Sequence, residues 1–192
     1  MHHNFIVANY AADGGCLDND DGSSYYDIHH NYCVFGGHKS DFDGNSKVSS
    51  FNLHVYPSVY GSKCFGELQY MPPKGYAEGY HDNTCILPAA APGKLPLYGS
   101  FGGFGPGGHT VCDGSAKSVA TLPENFVLGN NTVYAVGGNA TVTCNSKPLV
   151  LGEFNSLYDK TTKIVAEAPS PAQITGWAKS LLCPAGWEGS CW

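Results

Sequence analysis

Residues 28–34 read Ile-His-His-Asn-Tyr-Cys-Val, and residues 1–7 read Met-His-His-Asn-Phe-Ile-Val. A third copy, Tyr-His-Asp-Asn-Thr-Cys-Ile, occupies residues 80–86, and Ser-Phe-Asn-Leu-His at 50–54 is a weaker echo. The spacing of the three copies is close to one and then two repeats of about 26 residues. A repeat of this length indicates stacked structural units.

Each copy is a short alternating run followed by Gly, Asp and Asn residues, which are typical of turns. The sequence therefore predicts an all-β fold, a right-handed parallel β-helix. This chain would be the C-terminal part of a solenoid with long loops between its coils. Because Asn4, Asn31 and Asn83 recur at one position, we expect them to stack as an amide ladder. Cys33 and Cys85 match two coils apart, about 10 Å, so we expect them not to pair.

The histidine pairs of the repeat have an interpretation of their own. Neighbouring side chains on a strand point to opposite faces, so one of His29 and His30 should point inward and the other outward. An inward histidine is expected to form hydrogen bonds within the stack rather than bind a metal.

We divide the chain into two parts. Residues 1–150 are interpreted as the coils, with an insertion at 57–79 and a Gly/Pro-rich loop at 88–109. Residues 132–144 alternate on both sides of a Gly-Gly pair, which predicts a hairpin. Residues 151–192 are interpreted as a C-terminal capping segment.

The capping segment contains the clearest helix signal of the chain. Ser170 is a good N-cap and Pro171 suits the first helical position, so we predict a helix over 171–182. Its apolar face is expected to cover the end of the stack. A disulfide between Cys183 and Cys191 is expected in the tail that follows, and a partner elsewhere in the chain for either cysteine is the alternative.

Composition narrows the class of protein. All ten basic residues are lysine and the net charge is −6, so we do not expect the chain to recognise nucleic acid or phosphate, whose bidentate contacts rely on arginine. Eight dispersed cysteines without metal-site spacing indicate disulfides, and Asn130 and Asn139 begin N-glycosylation sequons. No signal peptide or apolar run of about 20 residues is present, which predicts no membrane span. We expect a secreted or cell-surface protein.

Two acidic clusters lie on either side of the second repeat copy. Asp18, Asp21 and Asp41 could hold calcium through their carboxylates, although the spacing does not fit an EF-hand; turn chemistry alone is the alternative. The sequence spacing of Asp20 and Asp43 is close to one coil, so the two could form the carboxylate pair of a glycosidase. No cofactor besides calcium is expected.

The stretch from Leu17 to Gly44 resembles a segment of right-handed parallel β-helix proteins of the pectate-lyase-like superfamily, nearest to β-helix glycosidases of the β-xylosidase type. In those glycosidases an Asp-Asp-Gly-Ser turn and an Arg-Glu-Gly turn carry the catalytic carboxylates. The resemblance implies Asp20 and Asp43 as the catalytic residues, with Phe42 and Asp43 in place of the family's arginine and glutamate.

Two functions follow as hypotheses. The first is a secreted carbohydrate-active protein, a glycoside hydrolase in its most specific form, with His38, Lys39 and Tyr26 binding a polysaccharide or glycan. The second is an extracellular structural or adhesive glycoprotein without catalysis. Because the first repeat copy begins within a strand, we expect a preceding coil or self-association through this open end.

Overall fold

A computed structural model describes residues 1–7, 15–19, 22–40, 44–57, 63–66, 75–101, 126–144 and 147–183. These residues form sixteen short strands and two helices. In chain order they are β1 (Phe5–Val7), β2 (Leu17–Asn19), β3 (Tyr26–His29), β4 (Tyr32–Val34), β5 (His38–Ser40), β6 (Lys47–Ser50), β7 (Leu53–Val55), β8 (Phe65–Gly66), β9 (Glu78–His81), β10 (Thr84–Ile86), β11 (Leu97–Phe101), β12 (Phe126–Gly129), β13 (Thr132–Tyr134), β14 (Thr141–Cys144), β15 (Lys147–Val150), α1 (Leu151–Leu157), β16 (Lys163–Val165) and α2 (Pro171–Leu182).

The strands form three sheets, and up to β14 the chain visits them in rotation. Sheet 1 has the order β1-β4-β7-β10-β13-β16, sheet 2 the order β2-β5-β8-β11-β14-β15, and sheet 3 the order β3-β6-β9-β12. All neighbouring strands are parallel except β14 and β15, which are antiparallel. Pro148 lies on β15, an edge strand, where its missing N–H is tolerated.

The prediction of an all-β right-handed parallel β-helix is wrong. The parallel strands belong to three separate sheets, none of which closes on itself, and helix accounts for 15% of the structure. The fold is an arrangement of parallel sheets with helices, closer to an α/β arrangement. The repeat correctly indicated which strands are equivalent, but a repeat does not determine how the sheets that carry them are joined.

The asparagine ladder is confirmed and is longer than predicted. Asn4, Asn31, Asn52, Asn83 and Asn131 each precede a strand of sheet 1, and each Nδ2 donates a hydrogen bond to the Oδ1 of the next asparagine over 2.8–3.3 Å. The last amide donates to Thr162 Oγ1 at 3.3 Å. Strand register follows the ladder, with Phe5 opposite Tyr32 and Tyr32 opposite Leu53.

Three local predictions need correction. The segments 57–79 and 88–109 are not wholly insertion and loop, since β8 and β11 within them join sheet 2. Gly99 of β11 lies opposite Phe65, and a Cβ there would be 2.2 Å from the Phe65 ring, so glycine provides space for that ring inside a strand. Residues 132–144 do not form a hairpin: β13 and β14 lie in different sheets, with Gly137 and Gly138 at positive φ between them.

The helix over 171–182 is confirmed, but its place is not the end of the stack. Ser170 Oγ accepts from the Gln173 N–H and Gln173 Oε1 accepts from the Ser170 N–H, which completes a capping box. Ile174 and Ala178 pack against Leu53, Val55 and Ile86. The helix therefore covers the outer face of sheet 1, because alternate residues of these strands expose an apolar surface there. No helix among the described residues is long and apolar enough to span a membrane.

The main core lies where the three sheets face one another. Phe65 from sheet 2 contacts Tyr80 from sheet 3 at a ring distance of 4.7 Å, and the Cys64–Cys85 disulfide joins sheet 2 to sheet 1. Helix α1, which the sequence did not predict, packs Leu151 and Phe154 into the same core. Its N-cap is Val150 and has no capping side chain, which explains why no sequence signal marked it.

The cysteine predictions have mixed outcomes. Cys33 and Cys85 do not pair, as predicted. Cys183 is disulfide-bonded, but Cys191 lies outside the described residues, so their pairing stays a prediction.

Candidate functional site

A surface groove of about 330 Å³ runs between α2 and the N-terminal ends of inner strands of sheet 1. Its walls combine aromatic, acidic and hydroxyl side chains: His30, Phe51, Asp82, Thr84, Trp177 and Ser180 all line it. The residues come from three repeat copies and from the C-terminal helix, so only the folded chain brings them together.

Three of the turns before the ladder asparagines form one wall of this groove, through His30, Phe51 and Asp82. His3, His30, Phe51, Asp82 and Asn130 occupy the turns before the ladder asparagines with φ between 54° and 56°, in the left-handed region. A left-handed residue at the end of a strand reverses the alternation of side chains, so these side chains project outward in a column. Within it the rings of His3 and His30 stack at 5.4 Å, and those of His30 and Phe51 at 5.3 Å.

This geometry corrects the interpretation of the histidine pairs. His29 ends β3 while His30 lies in the left-handed turn, so both rings lie at the surface, and their Nδ1 atoms are 2.8 Å apart. His2 and His3 form an equivalent pair at 2.6 Å. Burial lowers the pKa of His30, and the neighbouring His29 lowers it further, which favours a neutral His30 ring whose Nδ1 shares one N–H with Nδ1 of His29.

Asp82 supplies the negative charge of the groove. Its Oδ2 accepts a hydrogen bond from His81 Nδ1 at 2.7 Å, and its Oδ1 accepts one from Asn130 Nδ2. A carboxylate offers about four acceptor sites, so Asp82 retains capacity for a ligand hydroxyl. The two protein donors hold it in one orientation.

Two aromatic side chains, Phe51 and Trp177, line the groove together with Asp82. Phe51 is 48% exposed, although it is a large apolar side chain. The Trp177 ring is half-buried and packs on Tyr134 at 5.5 Å, which fixes it beside the groove. Exposed aromatic faces next to hydrogen-bonding groups are typical of small-molecule and glycan sites.

The predicted catalytic residues, Asp20 and Asp43, lie outside the described residues. The strands on either side of them are described: Asn19 lies opposite Ser40, and Tyr26 lies opposite Lys47. The two residues of each pair are slightly closer in sequence than Asp20 and Asp43 are to each other. Their catalytic role stays a prediction.

Of the three predicted calcium ligands, only Asp18 lies among the described residues. Asp21 and Asp41 lie outside the described residues, and Asp18 on β2 forms an ion pair with Lys39 Nζ at 3.6 Å. An adjacent ammonium competes with a cation for this carboxylate. Among the described residues, no group of three or more His, Cys, Asp or Glu side chains is arranged to hold a metal ion.

The predicted sugar-binding residues do not form one site. Lys39 pairs with Asp18 as above, and Tyr26 lies on β3, the first strand of sheet 3, where it is 40% exposed. His38 is 4% exposed and its Nε2 lies 3.3 Å from Asn19 Nδ2. Since His38 points into the interior, a surface sugar does not reach it.

The two sequon asparagines, Asn130 and Asn139, differ in how freely their side chains could carry a glycan. Asn130 is exposed, but its side-chain amide donates to Asp82 at the groove. Asn139 is half-buried and uses its Oδ1 to accept from the Ala140 N–H at 2.9 Å. A glycan on Asn139 leaves the groove unchanged, whereas one on Asn130 would break the contact with Asp82.

A buried layer of polar side chains was not predicted. Strands β5, β6 and β7 direct His38, Ser40, Lys47, Ser49 and His54 inward, and we call this set the polar layer. Lys47 Nζ lies 3.9 Å from Glu78 Oε1 of β9. Burial raises the pKa of Glu78 to about 7, partly offset by Lys47, and burial lowers the pKa of His38 to about 3. Burial also lowers the pKa of His54, to about 4. His38 and His54 are therefore both neutral at physiological pH.

No protein-family model, curated protein or solved structure matches this chain.

Proposed function

We propose that this chain is a secreted or cell-surface carbohydrate-binding protein and that the groove beside α2 is its glycan site. The observation that carries the proposal is the combination of Phe51, Trp177 and Asp82 in one groove. Disulfides support the extracellular location, because they persist in oxidising compartments.

The chemistry of the groove suits a sugar. The C–H face of a pyranose packs on an aromatic ring such as Phe51 or Trp177, which removes apolar area from water. Sugar hydroxyls donate to the Asp82 carboxylate and exchange hydrogen bonds with Ser180 and Thr84. The volume of about 330 Å³ is at the lower end of the range for ligand pockets, which suits one or two sugar units.

Binding, rather than hydrolysis, is the function that this groove supports. Glycoside hydrolysis uses two carboxyl groups about 5 to 9.5 Å apart. Asp82 is the single acidic residue among those that line the groove. Hydrolysis by Asp20 and Asp43 is a separate prediction, tested by the release of reducing sugar by the wild type and by Asp20→Asn.

The proposal is tested by measuring the affinity of the protein for a panel of xylans, arabinans, pectins and algal polysaccharides. We expect Phe51→Asn to weaken binding by about tenfold, the equivalent of one aromatic contact. Asparagine tolerates the left-handed backbone of residue 51, so the variant keeps the turn. Asp82→Asn should weaken binding by a similar factor, since hydrogen bonds to a charged group contribute about 1.5–3 kcal/mol.

Tyr76→Ala is the matched control, because Tyr76 is an exposed aromatic residue that does not line the groove. Its affinity should equal that of the wild type. If a glycan binds equally well to the wild type and to both groove variants, the site is elsewhere and the assignment is wrong. If no glycan binds to the folded wild type, the structural or adhesive alternative is favoured.

A further inference from the structure

We propose that Cys16 and Cys33 are a reactive dithiol that is converted to a disulfide by low-molecular-weight disulfides such as glutathione disulfide. The two are the only free cysteines in the part of the chain that the structure describes. They are well separated in sequence, and neither belongs to a Cys-x-x-Cys motif.

The fold places the two thiols against each other. Cys16 precedes β2 in sheet 2, and Cys33 is the central residue of β4 in sheet 1. Their side chains are hydrogen-bonded to one another, and Cys16 packs on the small core cluster that contains Cys33, Leu17 and Ile28. A disulfide would therefore connect sheet 1 and sheet 2, as Cys64–Cys85 does farther along the chain.

The surroundings of Cys16 are shaped for its sulfur atom. A Cβ on Gly36 would lie 2.7 Å from Cys16 Sγ, so glycine at this position leaves room for the sulfur. The Cys16 N–H donates to the Gly37 carbonyl at 2.8 Å, and its thiol lies 4.0 Å from the Ile6 carbonyl oxygen. These contacts hold Cys16 in place on the side where Cys33 lies.

The two thiols differ in access, which sets the order of the reaction. Cys33 is fully buried, and burial raises the pKa of its thiol, while Cys16 is half-buried. The Cys16 thiolate attacks glutathione disulfide, forms a mixed disulfide and releases one glutathione thiolate. Cys33 then gives its proton to the glutathione thiolate already released, its thiolate attacks Cys16 Sγ, the bond between Cys16 Sγ and glutathione breaks, and the second glutathione leaves as a thiolate. The two electrons removed from the protein reduce one glutathione disulfide to two thiols.

The experiment incubates the folded full chain in a glutathione redox buffer. Free thiols are then alkylated in denaturant without reduction, and peptides are identified by mass spectrometry. We expect both cysteines to escape alkylation together and to appear as one peptide pair linked through Cys16 and Cys33. Closure should accelerate as pH rises, because the second step needs the Cys33 thiolate.

Two variants separate the steps. Cys33→Ser should stop the reaction at the mixed disulfide, so Cys16 carries glutathione. Cys16→Ser should leave Cys33 as an unmodified thiol, because it is buried. The proposal is overturned if both thiols of the wild type remain open to alkylation after the incubation, or if Cys16 is linked to another cysteine.

Discussion

At the scale of single residues, backbone conformation decides which side chains reach the surface. Phe51 and Asp82 line the groove because each adopts a left-handed φ just before a ladder asparagine. A side chain in an ordinary extended conformation there would follow the alternation of its strand. Non-glycine residues in this region are uncommon, and local strain of this kind often marks functional sites.

His54 provides a test of the polar layer at the same scale. It is fully buried and neither ring nitrogen forms a hydrogen bond of normal geometry, although the Gly36 backbone partly supports its charged form. Burial is the main cause that lowers the pKa of His54 to about 4 from its ordinary 6.5.

The unfolded chain therefore binds a proton between pH 6.5 and 4 that the folded chain does not. Stability is fully present above pH 6.5 and is lost as pH falls towards 4, by about 3 kcal/mol in total. We expect His54→Asn to reduce this pH dependence in urea unfolding measured from pH 4.5 to 7.5. Ser49→Ala, at another buried residue of the polar layer that does not titrate, should keep the wild-type slope. Equal slopes for wild type and His54→Asn would contradict the prediction.

At the scale of secondary-structure elements, α2 was the element that the sequence predicted best. Its start is fixed by Ser170 and Pro171, which act within one turn of the chain and need no tertiary contact. Its position on sheet 1 was not predictable in that way, because the face that receives it consists of residues from three strands.

The capping box of α2 gives a prediction for this element. Ser170→Ala removes the acceptor for the Gln173 N–H and should lower the free energy of unfolding by about 1 kcal/mol. Ser170→Asp retains an acceptor and should remain close to the wild type. The measurement is urea unfolding at neutral pH. The prediction is wrong if the two variants lose the same stability.

Element-level errors at β11 and at residues 132–144 have one cause. Glycine in a sequence predicts a loop or a hairpin, since glycine inside a short strand usually weakens it. In this chain Gly99 accommodates the ring of Phe65, and Gly137 and Gly138 lead the chain from one sheet to the next. Glycine occupies all three positions. Only the surrounding residues in the folded chain show that Gly99 lies inside a strand and that Gly137 and Gly138 connect two sheets.

At the scale of the whole molecule, the three sheets depend on contacts that cross between them. The aromatic cluster around Phe65 and the Cys64–Cys85 disulfide are the main connections among the described residues. The sequence separation of the two cysteines is 21, and closing a loop of this length stabilises a protein by about 3 kcal/mol.

We therefore expect the double variant Cys64→Ala/Cys85→Ala to lose about 3 kcal/mol of stability in urea unfolding. The loss arises because the cross-link restricts the unfolded chain and holds sheet 2 on sheet 1. The double variant of Cys16 and Cys33 to Ala, compared with wild-type protein in which these two are thiols and Cys64–Cys85 is closed, is the control for loss of buried sulfur atoms. Equal losses for both pairs would show that packing, and not the cross-link, is responsible.

Patterns in the amino-acid sequence were sufficient to identify the repeated strands, the asparagine ladder and the start of α2. Each depends on residues close together in the chain or on identical residues at matching positions. The arrangement of three separate sheets, the groove beside α2, the polar layer and the contact between Cys16 and Cys33 became visible only in the folded chain. These features join residues from different repeats.

Along sheet 1 the sequence separation between paired residues of neighbouring strands more than doubles, from the pair Tyr32 and Leu53 to the pair Thr84 and Thr132. A periodic pattern cannot specify contacts across connections of such unequal length.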